Sequence, residues 1–251
     1  MRYFFQISYL GTLYHGWQRQ SSVTSVQQVI EDTISKVLGQ ETIIVGCGRT
    51  DTGVHASQYY FHTYIKDFPE YDLKWRLNKV LPHDISIISI IPVLDNAHAR
   101  YDAVSRSYTY HFHIDKNPFL SITSTLYQDA ELDIYRVQEA LNILSKESDF
   151  KNFCRTPDRH NTTICNVVDA HVIKLSDDQY KLDITANRFL KSMIRIIADR
   201  VIKVGTGKMS IAKFKSYFSE ENIEAQVILA PPQGLCLTEI VYPYELSLIH
   251  I

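Results

Sequence analysis

The chain has almost no excess of charge of either sign. Its 251 residues carry 26 Lys and Arg against 28 Asp and Glu, a formal net charge of -2. Residues 1–104 hold 9 basic and 10 acidic groups, and residues 105–251 hold 17 and 18. A global basic field is thereby excluded, so any nucleic-acid surface must be a local patch. Cysteine is scarce as well. Cys47, Cys154, Cys165 and Cys236 lie far apart with no CxxC pair, which excludes a disulfide framework and points to reduced thiols. Neither these cysteines with His160 nor the pair His111 and His113 has zinc-site spacing, so no metal is expected. No apolar run is long enough to span a bilayer, and Lys and Arg interrupt the N-terminal stretch before a signal peptide could form. The compartment expected from these absences is the cytoplasm. With 45% hydrophobic and 22% charged residues, the chain reads as an ordinary globular protein able to bury a core as one large or two small domains.

What is present is an alternation of strand and helix patterns. Tyr3, Phe5, Ile7 and Tyr9 alternate as one face of a half-buried strand. After a loop over 11–23, Ser25 and Gln28 form a capping box. Val26, Val29, Ile30, Thr33, Ile34, Val37 and Leu38 then recur at helical spacing until Gly39. Strands are predicted at 42–47 and 57–65, a helix at 72–81 closed by Pro82, and a strand at 85–93. This order is that of a ferredoxin-like unit. The later residues repeat the theme less cleanly, with a strand at 107–114, a helix at 132–144, and strands at 164–175 and 179–185. A long helix at 189–204, a short one at 211–218 and a strand at 234–242 follow. The expected fold is α+β, with two ferredoxin-like subdomains, 1–104 and 105–245, related by a pseudo-repeat. The last six residues, 246–251, match one reading frame of a transposon-end adapter and are read as a non-native tail.

Between the strands predicted at 42–47 and 57–65 lies Gly48-Arg49-Thr50-Asp51-Thr52-Gly53-Val54-His55-Ala56. It sets a carboxylate on a glycine-bounded turn, two residues after an arginine. Gly48 and Gly53 are expected to allow the tight backbone. Loops held by strands are where reactive side chains usually sit.

The stretch resembles the signature GRTDAGVHA of the TruA family of tRNA pseudouridine synthases, with Thr52 where alanine is common. Other blocks follow in the family's order. Tyr9-Leu10-Gly11-Thr12 and Tyr14 to Gln20 are similar to YDGxxYxGWQxQ. His98 to Ala103 and Arg106 to Tyr110 are similar to HARFSA and KxYxY. Asn187 to Arg195 is similar to NxFLxxMVR, and Gly234 to Leu237 to GLxL. The resemblance spans about 240 residues. It implies two α/β domains sharing a mostly antiparallel sheet with a cleft between them. It also implies isomerisation of uridine to pseudouridine at positions 38–40 of the tRNA anticodon arm, without a cofactor, by a homodimer.

That chemistry detaches a uracil from its ribose, rotates it and rejoins it through carbon. It requires a nucleophile, a route for the proton lost from carbon, and a grip on the loose base. Asp51 is the expected nucleophile, attacking either ribose or base. Arg195 is the expected ion partner, on a helical polar stripe of Arg188, Lys191, Arg195 and Asp199. Asp199 could compete for it. By the resemblance Tyr108 is the aromatic wall against the uracil, and Leu235 or Leu237 packs on the base. Arg19, Arg49, Arg100, Arg106, Arg188, Lys191 and Lys203 are candidate phosphate contacts.

Two alternatives stand beside this reading. Leu10 replaces an Asp, Ile196 and Asp199 depart from the motif, and Asn166 stands where an arginine is common, as in a tRNA-binding homologue without turnover. Asp51-Thr52-Gly53 is also the DTG of aspartic proteases, but a second copy is absent and Asp51 lies among helical segments. Gly205 to Lys208 lacks the first glycine and the Ser/Thr of a phosphate loop.

Overall fold

The computed structural model describes residues 1–128, 131–219 and 227–246; residues 247–251 of the suspected tail lie outside them. The chain forms two compact units. The first comprises Met1–Val104 with the chain from Cys236 on, and the second Ser105–Leu235. The strand expected to close the second domain therefore clusters with the first unit instead.

The first unit runs β1 (Arg2–Tyr9), α1 (Val26–Leu38), β2 (Val45–Gly46), β3 (His55–Tyr64), α2 (Leu73–Val80) and β4 (Ile85–Val93). β1 lies between β3 and β4, antiparallel to both. β2 pairs antiparallel with β3, and Cys236 and Leu237 run parallel to its first residues. Local chemistry sets the helix starts. The Gln28 N–H donates to Ser25 Oγ at 3.3 Å, and the Trp75 N–H donates to Asp72 Oδ1 at 2.9 Å. Each cap is worth about 1 kcal/mol. Phe5 stacks on Phe61 at 4.8 Å, and Val26, Ile30, Ile34, Leu73 and Leu77 are buried. Each such side chain contributes roughly 1.5–3 kcal/mol by burial.

β1 is not half-buried. Phe4, on the face opposite Phe5, is fully buried against Tyr60, His62 and Tyr242. A register shift between Gln6 and Ile7 pairs Phe4 with Ile91 while Ile7 keeps Ile87, so β4 feeds both faces. The turn at 97–102 covers the second face. The Ala99 N–H donates to His62 Nδ1 at 3.1 Å, and the Tyr242 hydroxyl donates to Ala99 O at 2.7 Å. Burial, helped by His98 and Arg2, pulls the His62 pKa down to about 4. Because the folded pKa lies below the unfolded value near 6.5, the unfolded chain takes up a proton first. His62 thus stabilises the fold above about pH 6.5, and that contribution, up to about 3 kcal/mol, is lost as pH falls toward 4. His62→Gln should flatten the fall in Tm between pH 7 and pH 5. An unchanged slope would refute the assignment.

The second unit runs β5 (Ser105–His113), β6 (Thr125–Leu126), α3 (Ile134–Leu144), β7 (Val167–Lys174), β8 (Gln179–Ala186), α4 (Met193–Gly205) and α5 (Ile211–Ser216). From it β9 (Leu235–Val241) leads back to the first unit. β8 lies antiparallel between β5 and β7, and β6 runs parallel to the end of β5. Both units are thus mixed α and β with mostly antiparallel pairing. Asp133 Oδ1 caps α3, accepting from the Tyr135 and Arg136 N–H groups. An aromatic cluster of Phe150, Phe153, Phe214, Tyr217 and Phe218 fills the helical side. The buried Arg200 guanidinium lies 3.5 Å from the Tyr217 ring centre and donates to Asn152 O at 3.0 Å. Among the described residues no helix is long and apolar enough to cross a membrane.

Candidate active site

Asp51 is half-buried in the turn leading into β3, and two facing segments hold that turn by its backbone. The Trp17 N–H donates to Thr50 O at 3.2 Å, the Gly53 N–H to Tyr14 O at 3.2 Å, and the Val54 N–H to Asp51 O at 3.2 Å. Tyr9 and Thr50 share a hydroxyl hydrogen bond of 2.9 Å, and the Tyr59 hydroxyl donates to Gly48 O at 2.7 Å. Trp17 stacks on Tyr59 at 4.0 Å, with Tyr9 edge-on to Tyr59 at 5.7 Å. The turn at 11–17 is anchored in its own right. Its Gly11 N–H donates to His55 Nδ1 at 2.9 Å, and the Tyr14 hydroxyl donates to buried Asp84 at 2.7 Å. Burial, then Asp84, pushes the Tyr14 phenol pKa up and keeps it protonated as the donor.

The glycines that matter are not both the expected ones. A Cβ on Gly11 would overlap the Val54 carbonyl. Gly16 sits at φ +82°, where a Cβ would overlap Thr50 O and lie 3.2 Å from the Asp51 carbonyl carbon. Gly53 does take a positive φ of 77°. Gly48 has neither a positive φ nor a neighbour that a Cβ would meet, so the requirement expected of it is withdrawn. The sequence reading missed Tyr14, Tyr59 and Asp84. Tyr14 lies within a quoted motif, but Asp84 has no sequence signal at all.

Arg49 is exposed in the same turn as Asp51. Arg19 is also exposed, and its guanidinium is bonded to Glu31 at 3.1 Å and Asp32 at 3.0 Å, which locally neutralises a candidate phosphate contact. Arg100 lies over the ring of exposed Tyr101, 5.7 Å from its centre. In the second unit Tyr108 is half-buried on β5, edge-on to Phe189 at 5.2 Å. Arg195 stands in the first turn of α4, and its Nε–H donates to Ala230 O at 2.7 Å. Asp199, the expected competitor, is instead bonded to Lys203 at 2.8 Å. That pair sets a carboxylate against Lys203, another candidate phosphate contact. Arg188 and Lys191 do not share a helical stripe with Arg195, because α4 begins only at Met193, after Ser192 at φ 59°. Arg106 donates to Asn187 O at 3.4 Å. Leu235 and Leu237 are buried on β9. Among the described residues no group of three or more His, Cys, Asp or Glu could hold a metal ion.

A strand-held Asp turn clasped by an aromatic turn, on a mixed α/β scaffold, suits a carboxylate kept in fixed geometry for covalent chemistry. Comparison with known proteins gives the family of the chain. The family model described as tRNA pseudouridine synthase matches residues 6–102 and 144–243. The tRNA pseudouridine synthase A of Porphyromonas gingivalis is 38% identical over 252 residues, covering 98% of this chain and 99% of that protein. Its counterpart in Azobacteroides pseudotrichonymphae is 38% identical over 247 residues, covering 96% and 97%. That of Bacteroides fragilis is 34% identical over 247 residues, covering 98% of each. The chain belongs to the tRNA pseudouridine synthase family, enzymes that isomerise uridine to pseudouridine in tRNA.

Proposed function

We propose that the chain isomerises uridines at positions 38–40 of the tRNA anticodon arm, with Asp51 as nucleophile. The observation that carries this is the Asp51 turn, whose backbone is fixed at Thr50, Asp51 and Gly53 while its carboxylate-bearing residue is only half-buried. The reaction breaks the N1–C1′ bond, forms C5–C1′, removes a proton from C5 and returns one to N1, with no net redox change. A carboxylate that forms and releases one covalent bond is sufficient as nucleophile, provided its geometry is preset.

Tyr108, Arg195 and Leu235 are assigned to uracil binding and to orienting the reacting groups. The motif matches at Arg106 to Tyr110, Asn187 to Arg195 and Gly234 to Leu237 support this. Arg49, Arg100, Arg106, Arg188 and Lys191 are assigned to the RNA backbone. The two units are read as ferredoxin-like copies of one plan, supported by the order β1, α1, β2, β3, α2 in the first and β5, α3, β7, β8, α4 in the second, where the two-residue β6 intervenes after β5. The working assembly is taken to be a homodimer in the cytoplasm, where its tRNA substrate is found.

Transcripts of one tRNA, with uridine kept at 38, 39 or 40 and replaced by cytidine elsewhere in the arm, test the site choice. Pseudouridine should form only in transcripts that retain one of these uridines. Formation after all three are replaced would refute the assignment.

A further inference from the structure

We propose that the segment 154–160, with Arg188 and Lys191, forms a phosphate-binding surface for the backbone of an RNA stem. The proposal rests on the reading above that tRNA is the substrate. Two stretches distant in sequence meet here, since the Arg155 N–H donates to Lys191 O at 3.2 Å. At the other end of the segment, His160 is held below its ordinary pKa by burial and by the nearby charges of Arg188 and Lys191. The same two cations act on the thiol of Cys154. Arg155, Arg159 and Lys191 are exposed. The positive strip continues toward β5, where Arg106 reaches Asn187 O next to Arg188.

The convergence of these cations from two distant stretches carries the argument. Among the described residues, none of Arg155, Arg159, Arg188 and Lys191 is ion-paired to a carboxylate, and Asp158 is the single acidic residue in the segment, against these four cations. A concentrated group of unneutralised cations is an electrostatic cost to the free protein that an anionic partner removes. Guanidinium forks suit phosphate oxygens bidentately.

The segment is also fixed before any partner arrives. Phe153 is fully buried at its root. The Arg159 N–H donates to Thr156 O at 3.2 Å, and the His160 N–H donates to Pro157 O at 3.0 Å, closing a tight turn. The surface is open and spread over two stretches rather than enclosed. That favours a chain of phosphodiesters over a single free phosphate.

The test measures tRNA binding by fluorescence anisotropy across a salt series, which requires no turnover. It compares the parent with the double variant Arg155→Gln/Arg159→Gln and with Lys116→Gln/Lys146→Gln. The second pair removes the same charge from two other exposed sites of the second unit. The first variant should weaken binding about tenfold at low salt. It should also lower the slope of log K against log salt by about 0.7–0.9 for each phosphate that the variant no longer engages. The lysine variant should stay within about twofold of the parent. Equal behaviour of the two variants would overturn the proposal, even if the parent modifies tRNA normally. A selective loss in the arginine variant upholds the surface, even if the parent proves inactive and the catalytic reading falls.

Discussion

Asp51→Asn should lower pseudouridine formation by at least about 10⁴-fold, the scale seen when an enzyme loses its covalent nucleophile. Asparagine has nearly the same shape but no anionic oxygen. The turn should survive the change, because its hydrogen bonds at Thr50, Asp51 and Gly53 use backbone atoms. Binding of tRNA should therefore stay within a few-fold while chemistry disappears. Nucleoside analysis of digested tRNA measures the first quantity and anisotropy the second. A variant retaining a tenth of the parent rate would remove Asp51 from the nucleophile's role.

The second large effect is expected at a residue with no functional group. Gly16 holds φ at +82°, and an added Cβ would run into Thr50 O. Gly16→Ala therefore imposes about 1–3 kcal/mol of backbone strain. It also pushes the 11–17 turn away from the Asp51 turn. A displacement of about 1 Å at a reacting group costs on the order of 10²-fold in rate. The expected result is a fall in kcat of about a hundredfold with only modest loss in denaturant midpoint. Normal kcat in a folded Gly16→Ala protein would show that the clasp does not set the geometry of Asp51.

Much of this arrangement was legible in the sequence, for identifiable reasons. Ser25 and Gly39 bracket α1 because both ends are written in side-chain chemistry. The strand predicted at 42–47 shrinks to Val45–Gly46 because its backbone bonds elsewhere. The Thr42 N–H donates to Ser35 Oγ, the Ile44 N–H to Glu31 Oε1, and Ile43 O accepts from Thr63 Oγ1. Those partners on α1 and β3 satisfy groups a ladder would have used, and no local pattern announces them. The late start of α4 has a similar cause. The apolar spacing continues through Phe189 and Leu190, but Ser192 takes a left-handed conformation that serine rarely signals.

The candidate residues divide the same way. Asp51 and Arg49 are visible because they sit in one short motif. Asp84 is not, since its role is to hold the Tyr14 hydroxyl across 70 residues of sequence. Asp199 looked like a partner for Arg195 at helical spacing. The geometry gives it to Lys203, one turn further along α4.

The most direct measurement is release of tritium from tRNA carrying [5-³H]uridine, with the purified chain alone. Moving the glycosidic bond to C5 expels the hydrogen there, so release reports the isomerisation itself. The account expects one tritium released per target uridine, in step with pseudouridine found in the digest. Tight tRNA binding without release would contradict it and would favour a homologue that holds tRNA without turning it over.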